Sequence, residues 1–506
     1  MSAPSDLAAA AAACPLAQDH VLGLDLGTSG LKAVLLAADG TLLAEATAPL
    51  TVQRPQPGWS EQRPQDWWSA LERVIARLRQ DADPARWRRV RALAVAGQMH
   101  GAVTLDADGQ VLRPAILWND GRAQAQCARL EALEPRTRAI TANRAMAGFT
   151  APKLMWMAEH EPELHARVAT VLLPKDWLVW RLCGALSSDC SDAAGTLWLD
   201  VAARRWSAPM LQASGLGEGA LPTLHESPDV VGTLRPGWAA AWGLPPDVRV
   251  AAGAGDNAAG ALGVGVVDPS DGLLSLGTSG VIFVPCGDAR GNPDQGVHTF
   301  CHALPGLWHR MSVMLSAASA LGWWADICGR GPAELLAELT PEPGGAAADA
   351  PLFLPYLAGE RTPHADPQAC GAFLGLRQGQ ARDVLTRAVI EGVAMGLADG
   401  LAALRAAGAA PRRLLAVGGG ARSDVWLQLL ADLLDLPVSR GAAAEVGPAL
   451  GAARLALLAA GHPLADVLRM PATQRCFEPD AARTERLQAR WARFRAAWQP
   501  LRDWQG

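Results

Sequence analysis

Asp25-Leu26-Gly27-Thr28-Ser29-Gly30 is the stretch on which the reading of this 506-residue chain turns, because five of its six residues return unchanged 250 positions later as Leu276-Gly277-Thr278-Ser279-Gly280. Each copy follows a short apolar run (Val21 to Leu24, then Leu273-Leu274) and precedes another (Ala33 to Leu36, then Val281 to Val284). That pattern is strand, tight turn, strand. Glycine at both ends lets the turn take positive φ, and its N–H groups can converge with two hydroxyls on an anion such as a phosphate chain. The copies differ where chemistry would: Asp25 can hold a hydrated Mg²⁺, and Ser275 stands in its place in the second copy. A single Gly-Thr-Ser-Gly is an ordinary hairpin turn. Two like hairpins, each opening about half of a long chain, imply two related domains with a nucleotide between them.

Working outward, the length exceeds what one hydrophobic core supports and requires at least two domains. Formal net charge is −5 and 19% of residues are charged, which gives no electrostatic reason for a nucleic acid or anionic membrane partner. A small neutral or polar substrate fits better. Lysine occurs only at Lys32, Lys153 and Lys175, while arginine is abundant. Nine scattered cysteines, without a Cys-x-x-Cys pair or zinc-ligand spacing, suit a reducing, cytoplasmic setting. No apolar run approaches the roughly 18 residues of a membrane helix, and residues 1–19 are expected to form a disordered extension.

After the first hairpin, Ala38-Asp39-Gly40 turns into a third strand, Thr41 to Thr47, so the class is α/β. Trp59 lies in the loop before an amphipathic helix, Asp66 to Arg79, either as a plug on the core or as a flap over substrate. Val90 to Ala96 alternates as a strand and ends in Gly97-Gln98-Met99-His100-Gly101, polar groups displayed where α/β sheets bind ligands. Asp120 and Arg122 can pair or reach substrate. Asp189 to Thr196 suits a loop, and Val248 onward is a strand leading through Gly253-Ala254-Gly255 to Asp256-Asn257 and a small-residue helix. Asp256 can cap that helix and still offer its second oxygen as a general base.

In the second half, His298 and His302 lie on one strand without a third ligand and are structural in character. Ser316 to Cys328 is a helix, and Ala333 to Ala348 carries a Pro/Gly/Ala-rich loop. Leu357-Ala358-Gly359-Glu360-Arg361-Thr362-Pro363 is polar and is expected at the surface as an insertion or subunit contact, which leaves room for a homodimer. Asp383 to Leu404 is a strong helix. Leu414 to Val417 is a strand running into Gly418-Gly419-Gly420-Ala421-Arg422-Ser423, bare backbone against which adenine or ribose could lie. Leu487, Trp491, Phe494 and Trp498 keep helical spacing near the C-terminus.

Asp-Leu-Gly-Thr-Ser-Gly-Leu-Lys, Gly-Gln-Met-His-Gly, Gly-Asp-Asn, Leu-Gly-Thr-Ser-Gly and Gly-Gly-Gly-Ala-Arg-Ser, in that order, resemble the FGGY carbohydrate kinases from about Val21 to about Phe477. Within them, Gln98-Met99-His100-Gly101 and Leu354 to Pro363 are similar to the xylulose branch, whereas glycerol kinases carry an Arg-Glu pair near the first of these. The resemblance implies two actin-like (ribonuclease-H-like) domains related by duplication with a cleft between them: 20–266 for sugar and base, 267–478 for nucleotide, then an amphipathic helix at 479–506. It implies transfer of the γ-phosphoryl of ATP, with Mg²⁺, to the terminal hydroxyl of D-xylulose. Asp256 would be the base. Gln98, Met99, His100, Asp256 and Asn257 would meet the sugar, and Asp25 the metal. Gly27, Thr28, Ser29, Lys32, Gly277, Thr278, Ser279, Gly419, Gly420 and Ser423 would hold the nucleotide. Ribulose, gluconate and glycerol are rival substrates. An actin-like or chaperone-like ATP switch and a non-catalytic sugar sensor are the rivals of other classes; the first would need polymer contacts or a client domain, the second a lost base.

Overall fold

The computed structural model describes residues 18–339, 350–441, 447–468 and 472–505. These fall into two compact units. The first takes the described residues within Met1–Gly265, Phe300–Trp308 and Val446–Met470, and the second those within Val266–Thr299, His309–Glu445 and Pro471–Gly506.

Each unit is built on a sheet with the same plan. In the first, β1 (His20–Leu26), β2 (Gly30–Ala37) and β3 (Leu42–Pro49) form an antiparallel meander. β4 (Val90–Gly97) lies parallel to β1, and the path closes through β5 (Val230–Thr233) and β6 (Arg249–Ala251), in the order β5-β6-β4-β1-β2-β3. In the second, β7 (Asp271–Leu276), β8 (Gly280–Cys286) and β9 (Trp308–Met314) repeat the meander. β10 (Arg413–Val417), β11 (Val438–Gly441) and β12 (Thr473–Phe477) continue it, giving the path β9-β8-β7-β10-β11-β12. β10 runs parallel to β7 just as β4 does to β1, and each path ends on an antiparallel edge strand. The central strands are mostly apolar because both faces are covered, as parallel pairing requires.

Helix Pro64–Asp81 buries Trp67, Leu71, Val74, Ile75 and Leu78 on the first sheet, the face its spacing predicts. Helix Arg382–Ala406 is the central covering helix of the second core, and helix Ala481–Gln505 lays Leu487 and Phe494 into that core with Trp491 and Trp498 beside them.

Several expectations are corrected. Helix Gly447–Ala460 falls within the first compact unit, although it follows the second sheet's strands in the sequence. Small residues let it approach closely: a Cβ on Gly451 would stand 1.8 Å from Ala259 O, and one on Gly23 would stand 2.1 Å from Ala449 O. It thus packs on β1, which carries Asp25, and on the helix that begins at Asp256. Asp19, assigned to the disordered extension, is buried and pairs with Arg91 (3.5 Å) and His462 (3.3 Å); residues 1–17 lie outside the described residues. Asp189 to Thr196 is not a loop but a buried helical turn, Cys190–Ala193, followed by 3-10 structure. Ala333 to Ala337 is helical, whereas 340–349 lie outside the described residues.

The Leu357 to Pro363 segment is not a surface insertion. Glu360 and Thr362 are buried; Glu360 Oε1 accepts from Leu315 N (3.0 Å) and Arg361 N (2.6 Å), and Thr362 Oγ1 accepts from Val313 N (3.1 Å). These groups are bonded inside the second unit, whereas Leu357 and Ala358 at the start of the segment are exposed.

Candidate active site

The first hairpin closes with Gly27 N donating to Gly30 O (3.0 Å), and at its root Asp25 pairs across the strands with Lys32. Asp25 Oδ1 is buried and has no hydrogen-bond partner among the described residues. Burial, then the charge of Asp256, push the Asp25 carboxyl up to about 7, against a smaller opposing pull from Lys32. Lys32 itself pairs with Glu45 (3.0 Å). Ser29 is exposed at the hairpin tip.

Asp256 opens helix Asp256–Gly263 directly after the corner at Gly253, whose φ of +85° and close approach to Val95 O only glycine allows. Gly255, not Asp256, is the N-cap. Asp256 Oδ1 accepts from Asn257 N (2.7 Å) and Asn257 Nδ2 (2.8 Å), while Oδ2 takes no bond among the described residues. Burial raises its carboxyl to about 6, the Asn257 bonds working the other way. Asn257 therefore orients the Asp256 carboxylate.

The Gly97 to Gly101 strand end divides into three roles. Gln98 is buried and committed: its Nε2 donates to Gln62 Oε1 (3.0 Å) and its Oε1 accepts from Thr28 Oγ1 (3.0 Å). Thr28 also accepts from Trp118 Nε1 (2.9 Å) at Oγ1 and from Gln62 Nε2 (2.8 Å) at its carbonyl. Gln98, Gln62 and Trp118 thus brace the hairpin from within the unit. Met99 packs against Gly195 and Gly255, where any added Cβ would meet its side chain at about 3.0 Å. His100 has a φ of 70°, unusual for a residue with a Cβ. Its carbonyl accepts from Thr150 Oγ1 (3.1 Å) and from the buried Lys153 Nζ (2.8 Å), and its ring lies tilted by 57° against Phe149, centroids 4.5 Å apart. Nδ1–H donates to Gly195 O (2.7 Å), so Nε2 is the nitrogen that can accept when the ring is neutral.

Asp120 and Arg122 do pair, by two guanidinium bonds (2.8 and 2.7 Å), and Arg122 also reaches Glu61 (2.7 Å). Its guanidinium lies 3.5 Å from the centre of the Trp59 ring, so Trp59 is clamped on the unit and is not a loose flap.

In the second unit, Gly277 N donates to Ser279 O (3.1 Å), one residue tighter than in the first hairpin. Thr278 O accepts from Ala317 N (3.0 Å) and Ser319 Oγ (2.8 Å), tying the turn to the start of helix Ala318–Cys328. The triple glycine packs on the same turn. Gly418 has a φ of +89°, and a Cβ there would stand 2.9 Å from Leu276 O; one on Gly420 would stand 2.9 Å from Leu276 Cβ. Gly418 and Gly419 leave their backbone exposed, and Ser423 caps helix Asp424–Leu434 through Trp426 N (3.3 Å). Gly277, Thr278, Gly419 and Gly420 are therefore brought together in one unit, and Asp25, Met99, His100 and Asp256 in the other.

Two family models match the chain: the N-terminal domain of the FGGY family of carbohydrate kinases over residues 20–263 and its C-terminal domain over 272–460. The chain belongs to the FGGY family of carbohydrate kinases. It is an enzyme of that class, with the family's two-domain actin-like architecture. It is 49% identical over 482 residues to the xylulose kinase of Escherichia coli (strain K12), covering 95% of this chain and 99% of that protein. With the xylulose kinase of Klebsiella pneumoniae it shares 50% identity over 440 residues, 87% of this chain and 89% of the other. Among solved structures, a xyloylose kinase from Brucella ovis superposes with a TM-score of 0.92 at 47% identity, over 96% of this chain and 99% of that one. Among the described residues no helix is long and apolar enough to cross a membrane.

Proposed function

We propose that this carbohydrate kinase transfers the γ-phosphoryl group of ATP to the terminal hydroxyl of D-xylulose, giving D-xylulose 5-phosphate. The observation that carries the reading is the single corner at which Asp256, with one oxygen fixed by Asn257 and the other unpaired, adjoins Met99, the neighbour of His100. The naming of relatives at about half identity supplies the sugar.

Asp256 Oδ2 takes the proton of the attacking hydroxyl. A carboxyl raised to about 6 remains ionised at neutral pH yet is basic enough to accept it. His100 Nε2 accepts a hydrogen bond from a sugar hydroxyl, and Met99 shapes the wall. Because the phosphoryl transition state is loose, alignment and charge stabilisation carry most of the rate, and the base only part. The exposed backbone at Gly418-Gly419 and the Thr278 turn hold the nucleotide. Asp25 fits Mg²⁺, since its buried Oδ1 has no hydrogen-bond partner among the described residues. Bound there, the cation would neutralise charge on the phosphates. Eight described cysteines are free, which suits a cytoplasmic enzyme.

An ADP-release assay across D-xylulose, ribulose, gluconate and glycerol tests the proposal. The highest kcat/KM is expected for D-xylulose; a higher value for another sugar, or ADP release unaffected by any sugar, would overturn it.

A further inference from the structure

The corner that launches Asp256 rests on a buried ionic cluster. Lys175 has 0% side-chain exposure and places Nζ 2.5 Å from Asp176 Oδ1, 2.8 Å from Asp189 Oδ1 and 3.8 Å from Asp192 Oδ2. The same ammonium donates to Ala252 O (3.3 Å). Asp189 Oδ2 accepts from Ser191 Oγ (2.5 Å) and from Ser227 Oγ (2.7 Å), and Ser191 Oγ accepts the Gly255 N–H (3.1 Å). Two arms of one cluster thus grip the main chain at Ala252 and at Gly255, the residue before Asp256. The remaining side of Gly255 is filled by Met99, so the peptide has no slack there.

Stability alone does not call for such a cluster. One ammonium against three desolvated carboxylates costs more than apolar filling of the same volume. Burial pushes the carboxyls of Asp192 and Asp176 upward, against the pull of Lys175. What an apolar filling could not supply is a hydroxyl aimed at one amide.

We infer that Ser191, held by Asp189 and Lys175, is a positioning residue for phosphoryl transfer: its hydroxyl fixes the Gly255 amide and so the direction in which Asp256 meets the sugar hydroxyl. This rests on the proposal that Asp256 is the base.

The test uses the full-length enzyme with D-xylulose and ATP, and records kcat, both KM values and the thermal midpoint for Ser191→Ala, Ser191→Thr, Asp256→Asn and the Ser191→Ala/Asp256→Asn pair. Ser191→Ala is expected to lower kcat about tenfold, as a small misplacement of a reacting group does, with both KM values within about twofold. Ser191→Thr, which keeps the hydroxyl, is expected to recover most of it. In the Asp256→Asn background Ser191→Ala should cost nothing further, because residues acting as one unit are not additive. Wild-type kcat in Ser191→Ala, or full losses that multiply in the double variant, would overturn the inference while leaving the base in place. Near wild-type turnover in Asp256→Asn would remove the base and the inference together.

Discussion

The two hairpins are alike in backbone and unlike in what surrounds them. Both join antiparallel strands beside a parallel neighbour, β1-β2 against β4 and β7-β8 against β10. In the first, the root residue is an unpaired buried carboxylate, and the turn is braced by side chains, Gln98, Gln62 and Trp118. In the second, the root residue is Ser275, and the turn is braced by backbone amides, by the Ser319 hydroxyl and by close glycine packing. Duplicated geometry has been filled once with a carboxylate and polar side chains and once mostly with main chain. The first suits proton and metal chemistry; the second suits holding a nucleotide that must not react with the protein.

The comparison can be broken by substitutions on either side. Asp256→Asn should lower kcat by at least about 10² with ATP affinity nearly unchanged, as measured by steady-state kinetics and titration calorimetry, because a general base is lost and no nucleotide contact with it. Asp25→Asn should shift the Mg²⁺ requirement upward by about tenfold or more, since a neutral amide binds a hydrated cation poorly. Ser275→Ala should leave the Mg²⁺ titration within about twofold; equal shifts at both roots would erase the distinction drawn between the hairpins. His100→Ala should raise KM for D-xylulose and narrow its lead over ribulose, at a cost of about 1 to 3 kcal/mol for a buried polar group left unpaired, with KM for ATP unchanged.

The smallest effect concerns stability. Asp25 is raised to about 7 in the folded protein from an ordinary 3.8, so its ionisation opposes folding above pH 4 and does so fully above pH 7. Asp25→Asn without Mg²⁺ should therefore unfold later than wild type at pH 8 and show no advantage at pH 4. A loss of stability at pH 8 would mean that Asp25 has a partner supporting its charge.

Much of this was legible in the sequence, for identifiable reasons. Repetition marked the hairpins, periodicity marked helices Pro64–Asp81 and Arg382–Ala406, and glycines that only main-chain crowding explains marked the corner before Asp256 and the turn at Gly418. What stayed hidden depends on partners distant in the chain. Gln98 reads as a displayed ligand group until Gln62 and Thr28 are found beside it. The charges of Glu360 and Arg361 suggest a surface, yet Glu360 is spent on main-chain amides. Helix Gly447–Ala460 has no charge pattern to say which unit it joins; its glycines and alanines only fit where Gly23 and Ala259 leave room. Lys175, Asp189 and Ser191 carry no motif spacing that would announce a cluster.

The pH dependence of kcat/KM for D-xylulose, in wild type and in Asp256→Asn, tests the central claim most directly. With a base whose carboxyl lies at about 6, wild-type kcat/KM should fall tenfold per unit as pH drops below that value, because the protonated acid cannot accept the hydroxyl proton. The residual activity of Asp256→Asn should lack that acid limb. An acid limb at the same pH in both proteins would assign the titration to another group and contradict the role given to Asp256.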